Sequence, residues 1–240
     1  RDDAVASHFV PLAHRRDQAP PRRAPAVPGT GVHHHANERE TRGGHSIYIP
    51  EHYDPDRAWP LVMALHGGSG HGRDFLWSWL KDARWHGAIV VAPTSSGRTW
   101  PIQDEDTDTE RLQALLASLR REWHIDPGRM LLTGMSDGGT FSYLAGLQAD
   151  SPFTHLAPVS AAFHPMLIEV AEATQLRELP VFVTHGVHDW MFPVDVARQA
   201  ARSLAAAGAR VTYAELPDLS HCYPGEINTV LLDWLDGREP

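Results

Sequence analysis

The chain has 240 residues, 42% hydrophobic and 21% charged, which is enough apolar material to bury the core of one α/β domain. A formal charge of −9 with no basic stripe leaves no phosphate-neutralising surface for a nucleic-acid partner. No apolar run reaches the roughly 18 residues of a membrane span, and a single cysteine excludes an intrachain disulfide.

Residues 1–40 read as an extended Pro/Arg-rich segment ahead of a catalytic domain at 41–240. Pro11, Pro20, Pro21, Pro25 and Pro28 interrupt any periodicity there. A start at Arg1 rather than methionine reads as a processed or trimmed N-terminus. A cytoplasmic enzyme is favoured, with export after removal of a signal peptide as the alternative. His33-His34-His35 invites a metal site, but adjacent residues of an extended chain alternate faces, so three in a row do not reach one ion. No metal and no cofactor are expected.

Further along, strands and helices alternate as a mostly parallel sheet demands. Residues 46–50 form an early strand, and 61–65 a core strand that runs into the turn His66-Gly67-Gly68-Ser69-Gly70. Acyl transfer needs two donors aimed at the tetrahedral oxygen. One N–H comes from such a strand-to-helix loop and the other from the residue after the nucleophile. The main chains of Gly68 and Asp137 are therefore the candidate oxyanion hole. No Gly-Lys-Ser/Thr follows, so a phosphate-binding loop is not supported.

A helix is predicted over 73–84, with Phe75, Leu76, Trp79, Leu80 and Ala83 on one face. Trp77 falls off that stripe, either at the mouth of a pocket or as a half-buried surface tryptophan. After a core strand at 88–92, the acidic run 104–110 reads as a helix start, with Thr107 and Glu110 as a capping box rather than a metal site. The helix it opens, 107–123, carries Leu112, Leu115, Leu116, Leu119 and Trp123 along one side. Asp126-Pro127-Gly128 then turns the chain into the strand at Met130-Leu131-Leu132.

That strand ends in Gly134-Met135-Ser136-Asp137-Gly138, followed by a helical stretch. The strand, tight turn and helix together make this G-x-S-x-G a nucleophile elbow, with Ser136 at the apex of a strained turn and at a helix N-terminus. A serine hydroxyl needs a base and an orienting acid. The chain order expected of such a site is serine, acid, histidine. Pro180-Val181-Phe182-Val183-Thr184-His185-Gly186 reads as a later core strand, and Asp189 lies just past it. Of 16 histidines only His221 follows Asp189, in a short loop after the strand-like stretch 209–216. Asp195 and Asp218 compete for the acid's role, but Asp195 falls in a helix start and Asp218 is too close in sequence to His221. Helices at 193–207 and 226–235 complete the cover.

Only residues 161–179 separate two core strands where a lid would be inserted, which leaves room for one short helix and no cap domain. An open, shallow site follows. Trp100, Met135, Phe163, His164, Trp190, Met191 and Phe192, each near a strand end or a site residue, are its candidate substrate-binding walls.

Leu65-His66-Gly67-Gly68, Gly134-Met135-Ser136-Asp137-Gly138-Gly139, Gly186-Val187-His188-Asp189 and Ser220-His221 together resemble an α/β-hydrolase serine esterase of the phospholipase/carboxylesterase type. They are similar also to polyhydroxybutyrate depolymerases and feruloyl esterase-like enzymes, from about Arg42 to the C-terminus. The resemblance implies an α/β-hydrolase fold: a mostly parallel central sheet, helices on both faces and a minimal lid. It also implies a Ser136, Asp189, His221 triad working through an acyl-enzyme. One departure concerns the dienelactone hydrolases, which use a cysteine nucleophile; here the lone cysteine is Cys222, beside the proposed base.

The expected activity is hydrolysis of a carboxylic ester, either a small molecule or one projecting from a polymer. A peptidase or an acyltransferase using the same triad stays open as an alternative, as does a non-catalytic binding module of the same fold. Nothing in the sequence specifies an oligomeric state.

Overall fold

The computed structural model describes residues 27–102, 105–171 and 173–238; the proline-rich stretch 1–26 and Asp104 of the acidic run lie outside them. One sheet holds eight strands: β1 (Gly31–His35), β2 (His45–Ile49), β3 (Trp59–Leu65), β4 (Ile89–Pro93), β5 (Ile125–Met135), β6 (His155–Val159), β7 (Pro180–Gly186) and β8 (Arg210–Leu216). Their spatial order is β1-β2-β4-β3-β5-β6-β7-β8. β2 runs antiparallel to both its neighbours, and the pairings from β4 to β8 are all parallel.

The helices are α1 (Gly72–Phe75), α2 (Leu80–His86), α3 (Asp108–Glu122), α4 (Asp137–Gly146), α5 (Met166–Val170), α6 (Ala173–Leu176), α7 (Val194–Ala206) and α8 (Ile227–Leu235), with a 3₁₀ turn at Leu76–Ser78. Every residue of β3 and β4 is buried, as expected of parallel strands covered on both faces. On one face Leu76, Ala83, Leu231 and Leu232 pack with Val62, Ala64, Val90 and Leu131. On the other, Leu112, Leu116, Phe141, Ala197 and Ala200 pack with Leu61, Met63, Leu132 and Val181. The strand carboxyl ends therefore emerge along one edge, between two layers of helices, where sites of open α/β sheets form.

Several local expectations are corrected. The first strand, β1, lies inside the stretch read as an N-terminal extension, because its backbone pairs with β2. His34 bonds Ser46 Oγ at 2.7 Å, whereas His35 stacks on His45 with ring centroids 4.7 Å apart. Among the described residues no three His, Cys, Asp or Glu side chains are placed to hold a metal.

The helix expected over 73–84 is broken in two. Ser78 Oγ donates to Phe75 O at 2.7 Å, and Asn228 Nδ2 of α8 donates to Ser78 O at 2.6 Å, so a tertiary bond takes a carbonyl that would continue the helix. Trp77 stands 60% exposed on that segment. The Thr107 and Glu110 capping box does not form. Thr107 makes no side-chain cap, and Asp106 Oδ1 accepts from the N–H groups of Asp108 and Thr109 instead. The 126–128 turn persists with a 2.8 Å bond from Gly128 N to Asp126 Oδ1, but as a bulge inside β5, since Ile125 already pairs with Trp59. Two short helices, α5 and α6, occupy the lid position instead of one.

Candidate active site

Four loops at the carboxyl ends of β3, β5, β7 and β8 build the site. β5 runs directly into α4 with Ser136 between them, at φ 55 and ψ −118. A positive φ costs a non-glycine residue about 1–3 kcal/mol, and such strain persists only where the surroundings fix it. Here Ser136 N donates to Val159 O at 2.9 Å, and Ser136 O accepts from both Thr140 N and Thr140 Oγ1. Two glycines make the crossing possible. A Cβ on Gly134 would lie 2.4 Å from the Gly138 carbonyl carbon, and one on Gly138 would lie 2.4 Å from Leu65 O.

His221 Nε2 is 3.0 Å from Ser136 Oγ, and His221 Nδ1 is 2.8 Å from Asp189 Oδ2. A carboxylate only accepts, so Nδ1 carries the ring proton and Nε2 is left to accept from the serine hydroxyl. Asp189 Oδ1 accepts from the N–H groups of Met191 and Phe192 at 2.9 and 2.8 Å. Burial alone would raise the Asp189 pKa, but the Phe192 N–H, the His221 ring and the Met191 N–H outweigh it and hold the carboxyl below its ordinary value. The loops that carry Asp189 and His221 are also tied to each other, through Val187 N to Leu216 O and His188 N to Leu219 O, both 2.9 Å.

Neither rival acid is in place. Asp195 is on the first turn of α7, paired with Arg198 at 3.0 Å, and Asp218 is exposed. Cys222 is exposed beside His221.

The Gly67-Gly68 turn lies against the elbow. A Cβ built on Gly67 would be 3.6 Å from Ser136 Cβ, and one on Gly68 would be 2.7 Å from Asp137 Oδ2. Among the described residues, neither Gly68 N–H nor Asp137 N–H makes a hydrogen bond, so both donors stay free for a ligand.

The seven candidate wall residues separate into groups. Met135 is half-buried beside Gly67. Trp190 and Phe192 meet the His221 ring edge-on at 6.1 and 5.4 Å between centroids; Trp190 is 74% and Met191 44% exposed. His164 is exposed, accepting from Met166 N at the start of α5. Phe163 is buried edge-on against Tyr143. Trp100 is only 1% exposed, stacks on Phe141 and donates Nε1–H to His66 O at 2.8 Å. It is core, drawn inward because its indole finds a buried carbonyl.

Three residues beyond the sequence reading also border the site. His185 Nε2 donates to Phe192 O at 2.8 Å and lies 3.4 Å from Asp189 Oδ2, so it holds the loop that carries Asp189. Thr99 Oγ1 bonds Asp137 Oδ2, and His66 braces the turn after β3. His66 and His185 each stand directly before a glycine of a quoted motif, and that adjacency was the one available signal.

The sequence profile of the phospholipase/carboxylesterase family matches residues 99–235. A bifunctional acetylxylan esterase/xylanase of Neocallimastix patriciarum is 31% identical over 160 residues, covering 63% of this chain and 22% of that protein. A probable feruloyl esterase C of Aspergillus terreus is 25% identical, covering 62% of this chain and 56% of its own length. This chain thus spans only part of the length of either relative. Among solved structures, the fluorophosphonate-binding serine hydrolase FphF of Staphylococcus aureus superposes with a TM-score of 0.68 at 13% identity, covering 88% of this chain and 99% of that one. At that identity the likeness speaks for the fold alone, which is the α/β-hydrolase fold.

Proposed function

The chain belongs to the phospholipase/carboxylesterase family, and from that premise we propose that it is a serine hydrolase of carboxylic esters, with Ser136 as nucleophile, His221 as general base and Asp189 as orienting acid. The observation that carries this reading is the unbroken chain from Ser136 Oγ through both ring nitrogens of His221 to Asp189.

In the proposed reaction His221 Nε2 takes the Ser136 proton as Oγ bonds to the ester carbonyl carbon. The carbonyl π pair moves to oxygen, which the N–H groups of Gly68 and Asp137 stabilise. Collapse expels the alkoxide, protonated by His221, and leaves the acyl group on Ser136. Water, deprotonated by the same imidazole, then releases the acid and regenerates the hydroxyl. The low Asp189 pKa keeps that carboxylate charged opposite the imidazolium that forms twice in the cycle.

The exposed Trp190 and Met191 rim and the two short helices in place of a cap favour an ester presented from a larger molecule. Relatives named acetylxylan esterase and feruloyl esterase point the same way, toward acetyl or feruloyl groups carried on a larger molecule. Stopped-flow hydrolysis of p-nitrophenyl acetate tests the core of the proposal. A pre-steady-state burst of one nitrophenolate per active site is expected, absent in Ser136→Ala; no turnover by the wild type contradicts it. A larger gain for acetylated or feruloylated oligosaccharide over the aryl ester supports the substrate class, and peptide anilide hydrolysis at comparable rate argues for a peptidase.

A further inference from the structure

The peptide joining Gly67 to Gly68 is a rigid plane, so the direction of the Gly67 carbonyl dictates the direction of the Gly68 N–H on its opposite side. Two donors fix that carbonyl. His66 Nδ1 donates to Gly67 O at 2.7 Å, and Gly70 N donates to the same oxygen at 2.9 Å.

The imidazole itself is held from both ends. Ser95 N–H donates to His66 Nε2 at 3.1 Å, so Nε2 is the bare nitrogen and Nδ1 the protonated one. Its ring is 1% exposed and lies 5.0 Å from the Trp100 indole, whose Nε1–H takes the His66 carbonyl. Arg42 closes the frame from outside, donating to Gly70 O at 2.7 Å, Gly97 O at 2.9 Å and Ser95 Oγ at 2.5 Å. No step of the proposed reaction uses the His66 ring, yet it is buried and both its nitrogens are hydrogen-bonded beside the Gly67-Gly68 turn.

We infer that His66 is a positioning residue that aims the Gly68 N–H at the oxyanion by gripping the carbonyl of the same peptide. This rests on the esterase reading above. The grip requires a neutral ring with its proton on Nδ1. Burial is the main influence holding the His66 pKa at about 4; the bond to Gly67 O opposes it, Arg42 and His71 reinforce it, and Asp108 opposes it more weakly.

Two substitutions separate the grip from mere filling of space. His66→Asn keeps an amide N–H near the Nδ1 position, whereas His66→Gln places its amide near Nε2 and loses the bond to Gly67. Each is assayed for ester hydrolysis and for inhibition by a trifluoromethyl ketone, whose tetrahedral adduct on the serine carries the oxyanion. His66→Gln is expected to lower kcat and weaken the ketone by about 10², the cost of losing one oxyanion donor, with KM changed only a few-fold. His66→Asn should recover most of both losses, although thermal unfolding shows the two variants destabilised alike.

Equal ketone affinities in the two variants overturn the role assigned to His66. Should either variant fail to fold, sequence-assigned ¹⁵N spectra of the native protein decide: protonated Nδ1 with bare Nε2 supports the inference, and the reverse tautomer overturns it. A wild type that neither turns over the ester nor binds the ketone overturns the esterase reading beneath it, an outcome distinct from equal losses in the two variants.

Discussion

The Thr99 hydroxyl donates a 2.6 Å hydrogen bond to Asp137 Oδ2, and the same carboxylate oxygen would lie 2.7 Å from a side-chain carbon on Gly68. The carboxylate of the residue after Ser136 is thus wedged between the loop following β4 and the turn following β3. Gly68 is a glycine for lack of room and not for backbone conformation, since it is absent from the positive-φ residues.

A double-mutant cycle follows from that wedge. Gly68→Ala alone should lower kcat by about 10², because the turn and its N–H must shift away from Asp137. Asp137→Ala alone should cost about tenfold or less, since the main-chain donor survives. Combining them should recover part of the Gly68→Ala loss by removing the atom the new methyl meets, a positive coupling between touching residues. Strict additivity of the two losses in kcat/KM would show that the carboxylate does not set the space at Gly68.

Trp100 and Trp190, both nominated from sequence as pocket walls, should respond oppositely to truncation. Trp100→Ala removes a buried ring and a buried hydrogen bond, and should destabilise the fold by about 3–5 kcal/mol. Trp190→Ala, at an exposed edge, should leave the unfolding midpoint within about 0.5 kcal/mol of wild type and act on KM for bulky esters. Urea denaturation of both variants checks the contrast, and equal destabilisation contradicts it.

Acid should weaken the fold before any ordinary carboxylate is neutralised. Burial is the main cause that lowers His45, His66 and His155 to about 4, with His35 and Arg111 adding to it at His45 and Arg210 at His155. An unfolded histidine takes up its proton near 6.5. Between those values the unfolded chain binds more protons, so stability rises with pH there: it is fully present above about 6.5 and is lost as pH falls toward 4. The fully buried His66 alone accounts for on the order of 3 kcal/mol. Urea midpoints at pH 7 and pH 4.5 measure this, and an unchanged midpoint at the lower pH would sink it.

Replacing Asp189 by Asn should leave the fold intact and drop kcat by about 10⁴, since the amide no longer fixes the tautomer of His221. Rate measurements on the purified variant check this. A loss under tenfold would show that Asp189 does not orient His221.

The strands were legible because each core strand is an apolar run bounded by glycine or a turn, and burial on both faces is what such a run requires. The elbow was legible because only glycine fits where Gly134 and Gly138 pass other backbone, so the constraint is written in residue type. Chain order alone pointed to Asp189 and His221, the two side chains the fold brings into line with Ser136 Oγ. What local pattern did not reveal depends on partners distant in sequence. Asn228 breaks the helix after Ser78 from 150 residues away, and β1 exists because β2 pairs with it. The inward turn of Trp100 depends on a carbonyl in the loop after β3. The cap at Asp106 was a one-residue misplacement, of the kind expected where neighbouring Asp and Thr both suit a helix start.

In the proposed reaction the Ser136 oxygen is the activated nucleophile. The most direct measurement is intact and tryptic mass spectrometry after treatment with a fluorophosphonate. One adduct per chain, mapped to Ser136, abolished in Ser136→Ala and slowed at least about 10³-fold in His221→Ala, is the predicted result. An adduct that persists undiminished in Ser136→Ala, or none in the wild type, contradicts it.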